Sequence, residues 1–357
     1  MGELLVPDWR SPLAGLEADL DGTFNLAQVS GLLRWAAVLT GRSDIDGSGQ
    51  VALRAEANGQ GGQVTTAELR LQDVNLVREK KTVPVSKELR LDAHFAQQTR
   101  ESEIEIKELR LHSDPLQVEG AGSIRRRDHR QVIDLQGKMT PALEQVSTLL
   151  QDGFGIDLRL AGGQSESFLA QYPLAGRDEN NLTASLATSL HADRLEYQGI
   201  SVRSLHMPLS LKNNGLHLEV TGQLAEGKLA FIADTDLAGE SMVITVPANR
   251  EVLTGVQVQK PLLDGLLSFL HPLFGVLAMP SGQLNLGLDS FAWPLRGEKG
   301  KEATFTTLTD LRGLSLESGK VLREILTLFR LDKEKLTLRD TELLCTGLQG
   351  RVTCNSL

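Results

Sequence analysis

Two cysteines, Cys345 and Cys354, stand in a chain of 357 residues, too few for a disulfide scaffold and without the spacing of a zinc cluster. Aromatic residues make up 4%, which leaves few platforms on which bases or sugar rings could stack. Cations are outnumbered: Lys+Arg 37 against Asp+Glu 46 gives a formal net charge of -9, so no nucleic-acid partner is expected. Long apolar runs are missing as well. The N-terminus has no basic region followed by an apolar stretch, and neither a secretory signal nor an anchor is read there. The nearest approach to a membrane span, 261–279, is interrupted by Asp264, His271 and Pro272, where a span needs about 20 largely apolar residues. Chemical motifs are equally scarce. There is no Walker loop, no G-x-G-x-x-G between strand and helix, no G-x-S-x-G elbow and no H-E-x-x-H. The histidines (His94, His112, His129, His191, His206, His217 and His271) are dispersed and read as ordinary polar positions rather than metal ligands. With no paired acid and base and no nucleophile constellation, the sequence predicts a protein that is not an enzyme and takes no metal or cofactor.

What is present is alternation. Hydrophobic residues reach 41%, carried by Leu, Val, Ile and Ala on a chain punctuated by 34 glycines. Over 65–123, apolar residues recur in period two: Leu69 and Leu71; Leu89, Leu91, Ala93 and Phe95; Ile104 and Ile106; Leu109 and Leu111; Leu116 and Val118. Arg70, Arg90, Asp92, Glu105 and Arg110 fall between them, so one face is apolar and the other wet, as in successive antiparallel strands. The pattern returns over 189–246. There Leu216, Leu218 and Val220 follow the turn Asn213-Asn214-Gly215, and Leu229 and Phe231 follow Glu226-Gly227-Lys228, with glycine expected to take the positive φ of each turn. It returns again over 281–295, with Leu284, Leu286 and Leu288. Helical spacing is confined to 24–39, 141–150, 261–277 and 321–329. The first three lead to expected strand starts at Gly47, Gly153 and Ser281.

About 18 to 20 strands with one apolar face cannot stay flat and open, because the exposed patch would far exceed what a soluble monomer tolerates. Short helices cannot cover such a face, and a two-sheet sandwich would want larger interdigitating side chains. The expected fold is mainly β: an elongated, curled antiparallel sheet forming a hydrophobic groove, with a few short helices, roughly 85 Å long at about 4.8 Å per strand. Its predicted lining is Leu69, Leu71, Leu89, Leu91, Ile104, Ile106, Leu216, Leu218, Val220, Leu229, Phe231, Leu284, Leu286 and Leu288. Such a lining suits acyl chains. Three segments are expected within one continuous domain: an N-terminal groove segment 1–140 with a helix near 24–39, a central one 141–260, and a helix-plus-strand segment 261–357. The helix over 261–277 is expected to cap the groove, kinked near Pro272.

The stretch LHADRLEYQGISVRSLHMPLSLKNNGLHLEVTGQLAEGKLAFIADTDLAG (190–239) runs as a strand pair, a glycine-containing turn and a further strand. It resembles the AsmA-like proteins of diderm bacteria. The stretches 261–295 and 301–329 look like the helix and strands near the C-terminal end of that family, so the chain is similar to a C-terminal portion of it. The resemblance is loose from about residue 60 and closer from Leu190 to the end. It implies, as for the related TamB-like proteins, a β-groove that bridges the periplasm and carries phospholipid toward outer-membrane biogenesis. For this chain it implies a periplasmic location and an inner-membrane anchor in the full-length protein that is not visible here. It also implies phospholipid acyl chains as cargo, and inner- and outer-membrane proteins as partners.

Smaller features are read on their own chemistry. Arg125-Arg126-Arg127 with Arg130 form a solvated hairpin tip, or else a contact for anionic head groups. Asn181-Leu182-Thr183 matches a glycosylation acceptor by chance. A hairpin centred between Gln349 and Gly350 would place Cys345 opposite Cys354, close enough for a disulfide in an oxidising compartment. In a reducing one they would be two small buried thiols. Two functions are open at this point: a lipid conduit, or a structural protein of the envelope that binds partners through its sheet edges.

Overall fold

A chain that alternates apolar and polar residues between tight turns forms strands, and the computed structural model is mainly β. It describes residues 18–25, 44–58, 62–78, 81–98, 103–127, 130–174, 184–236, 243–248, 250–262, 278–294, 303–317, 335–337, 339–348 and 350–356. These residues group into two compact units. Of the described residues, those within 18–145, 167–174 and 184–185 form the first, and those within 146–166 and 186–356 the second.

In the first unit β1 (Ala18–Asn25), β2 (Asp44–Asn58), β3 (Gly62–Arg78), β4 (Lys81–Gln98), β5 (Ile104–His112), β6 (Leu116–Arg127) and β7 (Arg130–Pro141) follow one another as an antiparallel meander. In chain order there follow helix α1 (Leu143–Phe154), β8 (Leu158–Gly163), β9 (Glu166–Leu174) and β10 (Ser185–Tyr197), and β8 pairs with β10. The second unit continues with β11 (Ile200–Lys212), β12 (Gly215–Leu224) and β13 (Gly227–Asp236), a ladder of three. Two short strands, β14 (Val243–Val246) and β15 (Arg250–Gln257), share the place between β13 and β16 (Ala278–Pro294). A three-residue helix, α2 (Lys260–Leu262), comes between β15 and β16 in the chain. Beyond β17 (Thr304–Glu317) the same division recurs, with β18 (Lys335–Thr337) and β19 (Thr341–Leu348) side by side on β17, and β20 (Arg351–Ser356) closing the ladder on β19.

Several local expectations need correcting. Phe24 lies in β1 rather than opening a helix, because its ring covers Gly49 across the strand pair. Pro141 is the last residue of β7, and the helix begins at Leu143. Gly153 is inside α1; the left-handed residue that ends the helix is Gly155 at φ 68°, with Ile156 N–H donating to Leu150 O at 3.1 Å and Gly155 N–H to Gln151 O at 3.0 Å. Ser281 falls within β16, not at its start. The hairpin turns also place their strain differently. Asn213 and Asn214 (φ 50° and 65°) and Ala225 and Glu226 (φ 43° and 68°) take the positive angles, while Gly215 and Gly227 are already strand residues. Gly227 is glycine because a Cβ there would meet Val256 N at 2.5 Å, where β15 crosses close by. The rest of the helix expected over 24–39, 261–277 beyond Leu262, the helix over 321–329, Asn181-Leu182-Thr183, His129 and His271 lie outside the described residues.

Candidate functional site

Cross-strand partners share a sheet face, so the register decides which side chains form a common surface. In the first unit one row runs Val51–Leu69–Leu91–Leu111–Val118–Met139, one apolar residue from each of six strands. Beside it run Phe24–Gly49–Leu71–Leu89, Phe95–Ile106–Gly122–Leu135 and Gln97–Ile104–Ile124–Ile133. The predicted lining residues Leu69, Leu71, Leu89, Leu91, Ile104 and Ile106 thus occupy a single face. The opposite face carries Gln50–Arg70–Arg90–His112–Gln117–Thr140 and Ala52–Glu68–Asp92–Arg110–Glu119–Lys138. There Glu68 accepts from Arg70 at 2.5 Å and lies 3.4 Å from Arg90, Arg90 reaches Asp92 at 2.9 Å, and Arg110 pairs with Glu108. These ion pairs are half exposed and worth little in stability. Their effect is to hold that face in water, while the residues of the apolar row opposite are partly buried.

In the second unit Gly222–Leu229–Leu253–Leu286–Thr309–Leu343 forms the corresponding row over six strands. Leu209–Leu218–Ala233, Val220–Phe231, Val256–Leu284–Leu311 and Leu288–Thr307–Cys345 flank it. Leu216, Leu218, Val220, Leu229, Phe231, Leu284, Leu286 and Leu288 therefore share a face in this unit too. Its centre is sealed, with Val256, Leu284, Thr309 and Cys345 all 0% exposed, whereas Leu20 (57%) and Leu53 (38%) in the first unit are open to solvent.

Strict alternation would not keep these faces continuous, and bulges do so instead. Apolar residues stand three apart rather than two at Leu71/Val74, Ile106/Leu109, Val202/Leu205, Leu253/Val256, Leu288/Phe291 and Leu311/Leu314, each at a register shift that inserts one extra residue. The extra residue restores the phase and bends the strand. At four of these places it is accommodated by a positive φ, at Asp73, Ser204, Gly255 and Gly313. A downstream side chain then satisfies the freed backbone donor. Gly255 N–H donates to Asn285 Oδ1 at 2.7 Å and Gly313 N–H to Asp340 Oδ1 at 2.8 Å. Leu253, Val256, Leu311 and Leu314 belong to the faces yet are absent from the predicted lining, and the three-residue spacing was the signal that could have found them; Val51, also absent from it, stands in plain alternation with Leu53.

Polar chemistry on the second unit gathers around Glu166, which is buried at the start of β9. Ser189 Oγ donates to its Oε2 at 2.9 Å, and Gln164 Nε2, at 3.0 Å, shares Oε1 with His191 Nδ1. Burial pushes the Glu166 carboxyl up, but the bonds from Ser189, His191 and Gln164 together prevail and hold it below its ordinary value. The His191 ring stacks on His206 with centroids 4.1 Å apart. Further along, His217 bonds Asp234 at 2.6 Å and approaches Glu219 at 3.4 Å; Asp234 first, then Glu219, raise its pKa. Among the described residues no group of three His, Cys, Asp or Glu side chains is placed to hold a metal ion. Arg125, in the arginine cluster, reaches Asp134 at 2.9 Å and Glu103 at 3.5 Å, and Arg127 pairs with Arg130 at the tip of the β6–β7 hairpin.

Cys345 and Cys354 are direct cross-strand partners on β19 and β20, their Cα atoms 4.1 Å apart and their sulfurs bonded. Among the described residues no helix is long and apolar enough to cross a membrane. Comparison with protein-family profiles, with curated proteins and with solved structures finds no match.

Proposed function

We propose that this chain is a non-enzymatic carrier of phospholipid acyl chains in a bacterial envelope, its apolar sheet faces sheltering the chains while head groups stay in water. The observation that carries the reading is the row Val51–Leu69–Leu91–Leu111–Val118–Met139, apolar on every strand and backed by a face that is polar on nearly every strand. A surface with that pattern binds by area rather than by polar anchors, gaining about 0.8 kcal/mol for each CH₂ it dries. A chain can slide along it without breaking a directional bond. The resemblance of 190–239, 261–295 and 301–329 to AsmA-like proteins supports a periplasmic setting, and so does a bonded cysteine pair, which persists in oxidising compartments.

The test is lipid recovery. Protein exported to a periplasm and purified without added lipid is extracted, and its phospholipid is counted. Wild-type protein is expected to carry phospholipid, and the double variant Leu69→Glu with Leu218→Glu to lose it. Gln223→Glu, on the polar face of β12, is expected to keep it. Both leucines are only partly buried, so the variants are expected to fold, and circular dichroism checks that they do. A folded double variant that still carries phospholipid at the wild-type level would overturn the reading.

A further inference from the structure

The apolar face of the second unit contains a chemical exception. Thr307 and Thr309, on β17, are 6% and 0% exposed, and the hydroxyl of each is sealed from solvent with no hydrogen-bond partner among the described residues. Two residues apart on one strand, they point to the same side, about 7 Å apart. Across the sheet Thr309 faces Leu286 and Leu343, and Thr307 faces Leu288 and Cys345. None of these side chains offers an oxygen or nitrogen. A buried hydroxyl without a partner is costly, and valine would fill the same space at no such cost.

The surroundings restrict what can satisfy these donors. A free ion, a sugar or a carboxylate would shed more hydration on reaching them than one or two hydroxyl bonds return. A group that travels within apolar matter and still accepts a hydrogen bond pays far less, and the carbonyl oxygen of an acyl ester is such a group. We infer that lipid entering this face displaces the contacts that now cover it, and that Thr307 and Thr309 then donate hydrogen bonds to the ester carbonyls of that lipid, making the face selective for ester-linked chains. The inference rests on the lipid-carrier reading above.

The experiment uses the full chain, stripped of lipid. It is titrated with dioleoyl phosphatidylglycerol and with the dioleyl ether analogue, which differs only in lacking the carbonyls, and bound lipid is measured by native mass spectrometry. The wild type is expected to bind the ester about tenfold more tightly than the ether. The pair Thr307→Val and Thr309→Val is expected to bring the two within about twofold by weakening the ester alone, while Thr309→Ser, which keeps the hydroxyl, retains the preference. Thr309→Val should melt at or above the wild-type temperature, since it removes a stranded donor. A lowered melting temperature would mean that the hydroxyl already has a protein partner, and overturns the inference. Equal affinity of the wild type for ester and ether, or a preference that survives both valines, overturns it too while leaving the carrier reading standing. Binding of neither lipid overturns the carrier reading, and this inference with it.

Discussion

Gly313 takes φ 56° where β17 inserts its extra residue, and its N–H donates to Asp340 Oδ1 at 2.8 Å on the exposed surface, fixing the bulge. Asp340→Ala is therefore expected to cost about 1 kcal/mol in urea denaturation, and Asp340→Asn, whose amide oxygen still accepts, much less. Titration acts at His217 by another route. Its partners Asp234 and Glu219 stabilise the charged ring in the folded state, so its folded pKa lies above the unfolded value. The stability it contributes is fully present below about pH 6.5 and is lost as pH rises through the raised folded value. Melting curves across that range should show the loss, and His217→Gln should flatten it. Glu166 has the opposite sign. Its lowered pKa means a contribution present above the ordinary carboxylate range and lost as pH falls through the folded value.

At the scale of the strand, the bulges separate residues that keep the phase from residues that adjust it. On β5, Phe95 faces Ile106 and His94 faces Glu108, so Lys107 is the inserted residue. Its deletion leaves Ile106, Glu108 and Leu109 in plain alternation, with every side chain on its present face. Deletion of Arg110 instead would bring one of its flanking leucines, Leu109 or Leu111, to the charged side. The expected outcome is that the chain lacking Lys107 stays folded by circular dichroism and proteolysis, while the chain lacking Arg110 does not. The β19–β20 hairpin is clamped by Cys345 and Cys354 across a separation of 9 residues. Closing so short a loop is worth about 3 kcal/mol at most, so replacing both cysteines by alanine should loosen β20 and spare the rest. Thiol titration of exported protein, denatured without reductant, should find no free thiol.

For the whole molecule, each unit carries its own apolar face, and the carrier reading predicts that each contributes separately. Leu69→Glu acts on the first unit and Leu218→Glu on the second. Either alone should lower the phospholipid recovered with the protein, and only the two together should remove it. If one substitution removes all the lipid, the unit carrying it is the one that holds cargo.

The period-two pattern is a local consequence of the pleat, since successive Cβ atoms point to opposite faces whatever the partner strand. The residues alone therefore determined that the chain is mainly β, which leucines share a side within each strand, and that a turn at Gln349-Gly350 sets Cys345 opposite Cys354. Tertiary structure decided what depends on the neighbour. A bulge exists only relative to a paired strand, so Ile106 and Leu109, of opposite phase in the sequence, come to one face only once β4 and β6 fix the register. The meeting of Glu166 with His191, 25 residues away, and the sealing of Thr309 beneath an apolar surface are likewise set by packing. Threonine in a strand reads as an ordinary β-former, and nothing local distinguishes a hydroxyl that will face water from one that will not.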